Sequence, residues 1–299
     1  MTIKSGVRFQ DKNRFENKMD LLFIGFHSSI GLGFFNSVKI VDKLGGNSVQ
    51  IFLKSPRGRF SKTLDLDDAK LTKQFVEENN IFLIGHSSYL INLCKDFKQN
   101  SFAIESLIDD MQKISLLGGI GVVLHVGKKL DMEIEVAYSN LKKSLELVLD
   151  KTSNDVMILF ENTSGQGTEI GFTIEELKLV YDLFDEKYKK RIGFCFDTAH
   201  GFAAGYDFST KIGVDNFYAE FESKIGWNKL VCIHFNDSKK ILGSKVDRHA
   251  DIGYGEIGKE GLIEFTRICF KTGKPLILET PSDNIDYFEQ MKLVKNSLK

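Results

Sequence analysis

Short apolar runs alternate with longer amphipathic stretches along nearly the whole chain. The runs contain mostly continuous apolar residues, which is typical of strands buried on both faces of a parallel sheet. They span residues 21–26, 48–53, 81–85, 121–124, 156–160, 192–196, 230–233 and 275–278. Stretches of helical periodicity lie at 34–44, 67–78, 104–117, 133–149, 173–184, 216–225, 259–272 and 285–298. Eight strands, each followed by a helix, predict an α/β protein with a (β/α)₈ barrel.

The chain length agrees with one barrel. Its 299 residues, 42% of them hydrophobic, can bury a large core. Residues 20–299 are therefore predicted to form a single barrel domain with some enlarged loops. Residues 1–19 are polar, mixed in charge and without a clear period, which predicts a flexible tail.

Charge and cysteine content narrow the classes of protein. A formal charge of −1 disfavours a wholesale polyanion binder but leaves room for a local basic face. The four cysteines form no CxxC motif, which indicates a reducing compartment rather than a disulfide framework. We find neither an apolar stretch of about 18 residues nor a secretory signal. We therefore expect no membrane partner and an unsecreted, intracellular protein, in the cytoplasm or nucleus, or in a virion if the source is viral.

Histidines and carboxylates stand at or just beyond the ends of the predicted strands. Neutral imidazole with carboxylate is the ligand set that suits zinc and its first-row neighbours. The candidates by position are His86, His125, Glu161, Asp197, His200, His234, His249 and Glu279. Asp247 is a ninth, because residues i and i+2 of an extended segment face the same way. Nine ligands exceed the roughly four that one tetrahedral ion takes, so the pattern predicts a metal cluster.

A glycine motif at residues 253–258 offers a competing interpretation. Its GxGxxG spacing precedes a helix, and Glu279 ends a strand about 20 residues later, as in a dinucleotide-binding fingerprint. The residues before Gly253 are polar, however, whereas that fingerprint must follow a buried strand. We therefore interpret the glycines as permitting a tight loop near His249.

Six segments in chain order resemble the endonuclease IV family of abasic-site endonucleases, and the likeness runs from about Leu21 to the C-terminus. They are residues 85–93, 161–167, 197–207, 234–239, 243–249 and 276–280. The resemblance implies a barrel holding three zinc ions per chain, with manganese as an alternative ion at one site. It implies a first ion on His86, His125 and Glu161, a second on Glu161, Asp197, His234 and Glu279, and a third on His200, Asp247 and His249.

The implied activity is base excision repair of double-stranded DNA by a monomeric enzyme. The phosphodiester bond 5′ to an abasic site is hydrolysed, leaving a 3′-hydroxyl and a 5′-deoxyribose phosphate. Zinc lowers the pKa of a bound water toward ~7, and several adjacent cations offset the charge that builds up as the leaving oxygen departs. Glu161 and Glu279 are assigned the catalytic role of orienting the activated water.

The resemblance also implies three DNA-binding residues, Arg57, Tyr89 and Leu90. An abasic nucleotide has lost its stacking and pairing, so Tyr89 and Leu90 could enter the gap that it leaves. Arg57 matches a family arginine, although its neighbours depart from the family pattern. Cations in the same loops predict a phosphate-binding face. They are Lys54, Arg59, Lys128, Lys129, Lys239, Lys240, Lys245 and Arg248.

Two other functions fit parts of the pattern. A metal-dependent sugar isomerase or epimerase on the same barrel would use fewer ions and leave His200, Asp247 and His249 without a task. A non-catalytic metal-dependent DNA-binding protein would tolerate loss of a bridging carboxylate. His27, the sixth histidine, is interpreted as a structural or DNA-proximal residue. Asn236 and Asp237 are either partners that fix ligand tautomers or members of an Asx turn.

Overall fold

The computed structural model describes residues 21–55 and 63–299. The predicted tail and the predicted DNA contact Arg57 lie outside the described residues. No helix within the described ranges is long and apolar enough to cross a membrane.

Eight parallel strands close into a barrel, so the predicted (β/α)₈ fold is confirmed. Each strand pairs with its neighbours in sequence, and the last strand closes the barrel against the first through Ile24 and Leu276. The strands are β1 Ile24–Ser28, β2 Ser48–Phe52, β3 Phe82–His86, β4 Gly121–His125, β5 Met157–Glu161, β6 Ile192–Asp197, β7 Leu230–His234 and β8 Leu276–Leu278.

Within residues 21–55 and 63–299, eight helices of nine or more residues follow the strands. They are α1 Phe34–Lys43, α2 Leu66–Glu78, α3 Ser101–Leu116, α4 Ile134–Asp150, α5 Ile174–Asp182, α6 Lys211–Lys224, α7 Gly258–Thr272 and α8 Tyr287–Asn296. The predicted start of α6 at residue 216 was wrong, because the helix begins at Lys211. The Thr210 side chain caps it by accepting the backbone N–H of Gly213 at 3.1 Å, and that glycine weakened the helical pattern.

An apolar plug fills the barrel below the ends of the strands. It is made of Phe23, Phe82, Ile84, Val123, Leu159, Cys195, Cys232 and Ile277. The candidate ligands lie above this plug, at the C-terminal ends of the strands, which is where barrel enzymes carry their sites. A two-residue ladder at the same end pairs Asp237–Ser238 with His249–Ala250 and brings His249 back over the barrel.

Candidate metal centre

All nine predicted ligands meet at the C-terminal end of the barrel. His86, His125, Glu161, Asp197 and His234 are the last residues of five consecutive strands, β3 to β7. Glu279 follows β8 directly, and Asp247 and His249 lie in the loop after β7. Three groups of these residues have donor atoms within 4.8 Å of one another, which is close enough to surround an ion. They are His86, His125 and Glu161; Glu161, Asp197, His234 and Glu279; and Asp197, His200 and His249, with Asp247 beside the last group rather than in it.

Glu161 stands between two of the groups and is fully buried. Its Oε2 lies 3.2 Å from Nε2 of His86 and 2.9 Å from Nε2 of His125. Its Oε1 lies 2.8 Å from Nδ1 of His234. Each carboxylate oxygen therefore faces a different set of nitrogens, which is the arrangement that a bridging carboxylate requires.

The second group joins Glu161 to Asp197, His234 and Glu279. His234 Nδ1 lies 3.1 Å from Glu279 Oε2 and 3.9 Å from Asp197 Oδ2. Three carboxylates thus surround one imidazole nitrogen in a buried site, which favours a cation there.

The third group depends on a short helix, Thr198–Ala204, that begins directly after β6. Asp197 caps this helix by accepting the backbone N–H of His200 at 2.8 Å, so the two residues lie within one turn. Asp247 reaches across from its loop and lies 3.3 Å from Nε2 of both His200 and His249. Asp197 Oδ2 is 3.5 Å from His249 Nε2, and Asp197 is a member of both the second and the third groups.

Backbone carbonyls fix three of the imidazoles. Nδ1 of His86 lies 2.7 Å from the carbonyl of Ser87, and Nδ1 of His200 lies 2.9 Å from that of Asn162. Nδ1 of His249 lies 3.2 Å from the carbonyl of Glu279. A carbonyl only accepts, so Nδ1 carries the proton and the lone pair of Nε2 points at the carboxylates. This is how neutral histidine is prepared as a ligand.

The side chain of Gln50 fixes the His234 imidazole as the carbonyls fix the other three. The sequence analysis did not identify this residue. Its Oε1 lies 2.7 Å from Nε2 of His234, and its Nε2 donates to Glu279 Oε1 at 2.6 Å. The residue is fully buried inside β2. An amide side chain within a mostly apolar strand was the available signal. It was missed because glutamine is not ionisable and Gln50 does not lie at a strand end.

Replacing Gln50 by Met keeps the side-chain length and removes both hydrogen bonds. We expect the affinity for an ion held by His234 and Glu279 to fall about 10- to 100-fold, as is typical when a partner of metal ligands is lost. Competition with a zinc chelator measures this. Gln74→Met, at an exposed glutamine of α2, is the matched control. Equal zinc affinity in the two variants would contradict the role of Gln50.

The pKa shifts of the candidate ligands show that their carboxylates stabilise positive charge in the site. Burial alone would raise the pKa of the Glu161 carboxyl, but the imidazoles of His125 and His234 outweigh it and hold that pKa well below its usual range. Burial lowers the pKa of His234, yet Glu279 and Glu161 outweigh burial and raise it to about 10. Moreover, His249 Nε2 is buried and lies 3.3 Å from Asp247 Oδ1, but it forms no hydrogen bond with any described residue. Protonated imidazoles therefore offset part of the negative charge that bound metal ions would offset at these carboxylates.

His27 belongs to none of the three groups. Its Nδ1 lies 3.3 Å from Glu279 Oε1 and 2.9 Å from Gln50 Nε2. Burial lowers its pKa, although Glu279 opposes this. The contact supports the interpretation of His27 as a residue beside the ligands rather than one of them.

Lys54 does not join a phosphate-binding face, so that part of the basic-loop prediction was wrong. Its side chain turns inward, because Nζ lies 3.0 Å from Oδ1 of fully buried Asp110 and donates to the carbonyl of Ser106 at 2.7 Å. Two further cations of these loops have acidic partners. Lys128 lies 3.3 Å from Glu169, and Lys239 lies 2.7 Å from Asp283.

Asp110 gives the stability of the fold a pH dependence. Burial raises the pKa of its carboxyl from 3.8 to about 7, although Lys54 opposes this. Between those values the folded state holds a proton that the unfolded chain has released, so this stabilisation is present below about pH 4 and is lost as the pH rises to about 7. Urea unfolding over this range should show the free-energy difference between wild type and Asp110→Asn declining with pH. A difference that stays flat over this pH range would refute the assignment.

Tyr89 and Leu90 lie at the rim of the site. Their exposed fractions are 56% and 41%, so both side chains are accessible from solvent. The Tyr89 ring is 5.7 Å from that of His86. A cavity of about 270 Å³ opens beside the two residues and is also lined by His86, His125 and Lys128. An extended ligand could therefore contact the rim and the candidate ligands together.

Other proteins have the same barrel fold and similar sequences. Residues 38–299 match the family described as xylose isomerase-like TIM barrel. A putative endonuclease 4 of Acanthamoeba polyphaga mimivirus is 36% identical over 292 residues, covering 92% of this chain and 93% of the viral protein. A probable endonuclease 4 of Thermosipho melanesiensis is 37% identical over 284 residues, covering 93% and 99%. The chain belongs to the endonuclease IV family of this barrel class, as the sequence resemblance predicted.

Solved structures of other proteins have the same fold. Endonuclease IV from Thermus thermophilus superimposes with a TM-score of 0.80 at 29% identity, covering 92% of this chain and 98% of the bacterial one. A D-tagatose 3-epimerase-like protein reaches a TM-score of 0.66 at 17% identity, covering 92% and 97%, and shares the fold.

Proposed function

We propose that the protein is a DNA-repair endonuclease that hydrolyses the phosphodiester bond 5′ to abasic sites in double-stranded DNA. The products are a 3′-hydroxyl and a 5′-deoxyribose phosphate. The observation that carries this proposal is the convergence of three donor groups: the first and second share Glu161, and the second and third share Asp197. Family membership supports it, since the relatives bear the name endonuclease 4.

Three zinc ions would occupy the three groups, with manganese as an alternative at one of them. His86, His125 and Glu161 would hold the first ion, and Glu161, Asp197, His234 and Glu279 the second. His200, Asp247 and His249 would hold the third. Adjacent cations lower the pKa of a bound water and neutralise charge on phosphate oxygens, which is the chemistry that phosphodiester hydrolysis needs.

Glu161 and Glu279 would orient the attacking water. Glu279 is well placed for this because Gln50 holds its Oε1 at 2.6 Å, and its backbone N–H donates to Asn236 Oδ1 at 2.8 Å. The Asn236 amide also donates to Asp197 Oδ2 at 2.7 Å, so one asparagine holds the carboxylate of Asp197 and the backbone of Glu279. Preorganised groups of this kind need not rearrange during reaction.

Tyr89 and Leu90 would enter the gap left by the missing base, together with Arg57. Stacking of a base on an aromatic ring contributes about 1–3 kcal/mol, so we expect Tyr89→Ala to weaken binding of an abasic duplex by that amount. Fluorescence anisotropy with a tetrahydrofuran-containing duplex measures the affinity. Leu116→Ala, half-exposed at the C-terminal end of α3, is the control and should bind as wild type. Unchanged affinity in Tyr89→Ala would remove this residue from the DNA interface.

Metal analysis combined with an incision assay tests the proposal. About three zinc ions per chain and a single cut 5′ to a tetrahydrofuran residue are expected. One or two Mg²⁺ or Mn²⁺ ions without incision would favour the sugar isomerase or epimerase. Three ions with DNA binding but no incision would favour the non-catalytic DNA-binding protein. We further propose that residues 20–299 form one domain that acts as a monomer inside the cell.

A further inference from the structure

The glycine motif wraps around one buried carboxylate. Asp237, just beyond β7, is fully buried. Its Oδ2 accepts the backbone N–H groups of Gly253 and Gly255, each at 3.0 Å. Its Oδ1 accepts those of Ile257 at 3.0 Å and Gly258 at 3.3 Å, and that of the adjacent Ser238 at 2.8 Å.

This arrangement explains the glycines without a nucleotide. Backbone N–H groups that would cradle a phosphate in a dinucleotide site are already bonded to an internal anion. A Cβ added at Gly255 would lie 2.4 Å from the carbonyl oxygen of Ser238 and 2.6 Å from Asp237 Oδ1, so only glycine permits this close approach. Hydrogen bonds to an ionised acceptor are about twice as strong as neutral ones, and the loop is accordingly well fixed.

The strand that carries Asp237 also pairs with the segment that carries His249. Asp237 pairs with Ala250 and Ser238 pairs with His249 in the two-residue ladder. The ladder is extended on one side by Lys239, whose N–H donates to the carbonyl of Arg248 at 2.8 Å, and on the other by Glu256, whose N–H donates to that of Ser238 at 2.7 Å. The strand that contains Asp237 thus lies between the segment that carries His249 and the loop that Asp237 binds.

We propose that Asp237 is the positioning residue of the third metal site. Its carboxylate fixes the 253–258 loop against the ladder and thereby sets the place of His249 Nε2. Asp237 itself touches no ligand atom, and its effect reaches the site only through the backbone. The inference rests on the proposed three-ion centre.

The test compares Asp237→Asn with His249→Ala and Asp68→Asn. An asparagine at 237 has one acceptor oxygen, and its NH₂ would face N–H donors. Asp68 is the matched control, because its carboxylate also accepts two backbone N–H groups, those of Phe34 at 2.7 Å and Phe35 at 3.1 Å, but lies on α2 away from the ligands. Each full-length protein is dialysed at one buffered Zn²⁺ concentration, and its zinc content is measured. The visible absorption of Co²⁺-loaded protein is recorded in parallel.

We expect Asp237→Asn and His249→Ala each to hold one ion fewer than wild type and to lose the same part of the Co²⁺ spectrum. Asp68→Asn should retain the full number. A full complement in Asp237→Asn alongside a loss in His249→Ala would overturn the inference alone, whereas a full complement in His249→Ala would overturn the three-ion centre as well. If Asp237→Asn is insoluble, Gly255→Ala takes its place, because the added methyl group would push the 253–258 loop away from Asp237. Loss of one ion in this variant would support the inference, and a full complement would overturn it.

Discussion

Glu161→Gln is expected to abolish incision of a duplex that carries one tetrahydrofuran residue. Glu161 is the residue whose two carboxylate oxygens face two donor groups, at 2.8–3.2 Å from three imidazole nitrogens. Glutamine has the same shape, but its NH₂ must replace one acceptor, so one group loses its oxygen whichever way the amide turns. The site also loses a buried negative charge that would offset two cations.

The rate should fall by more than about 100-fold, because loss of a residue that only supports metal ligands already costs about 10- to 100-fold. Initial rates under saturating zinc measure the loss, and circular dichroism establishes that the variant is folded. Glu289→Gln, at a carboxylate of α8 that pairs with Lys292, is the matched control and should cut at the wild-type rate. Wild-type-like incision by Glu161→Gln would count against both the bridging role and the proposed nuclease.

His200→Ala is expected to remove one ion and with it the incision activity. His200 and His249 both face Asp247 at 3.3 Å, and loss of either imidazole leaves too few donors for a stable third site. The first and second groups contain neither histidine, so about two ions per chain should stay bound. Incision should again fall by more than about 100-fold, since a ligand matters more than its supports.

His27→Ala provides the comparison for His200→Ala. Both histidines lie at the same end of the barrel, and His27 contacts Glu279 at 3.3 Å, yet His27 belongs to none of the donor groups. We therefore expect His27→Ala to retain the wild-type number of ions. Zinc content after dialysis distinguishes the two variants. An unchanged zinc content in His200→Ala would remove the feature that separates the nuclease from the isomerase.

The barrel and the candidate ligands were predictable because both follow from local pattern. Continuous apolar runs bounded by amphipathic stretches identify parallel strands, and parallel barrel strands place their last residues at one end. His86, His125 and His234 could thus be assigned to a common site without knowledge of any contact. The identity of the reaction needed the family resemblance, since a barrel with histidines at its mouth is compatible with several chemistries.

The failures share a physical cause, which is that a side chain's partner is chosen in three dimensions. Lys54 was predicted to face phosphate, but α3 presents buried Asp110 within 3.0 Å of its ammonium group. Gln50 was overlooked because nothing near it in sequence shows that His234 and Glu279 will converge on its amide. The glycine motif indicated a tight loop. It did not indicate that the carboxylate of Asp237, just beyond β7, accepts the backbone N–H groups of that loop.

By itself the sequence determined the barrel and the layer in which its nine metal-ligating candidates lie, because strand periodicity and strand direction are properties of local segments. Only the tertiary structure decided which oxygen of Glu161 faces which imidazole, which nitrogen of each histidine is available, and which cations are withdrawn into ion pairs. Those choices depend on distances of a few ångströms between residues far apart in the chain, and closure of the barrel sets all of them together.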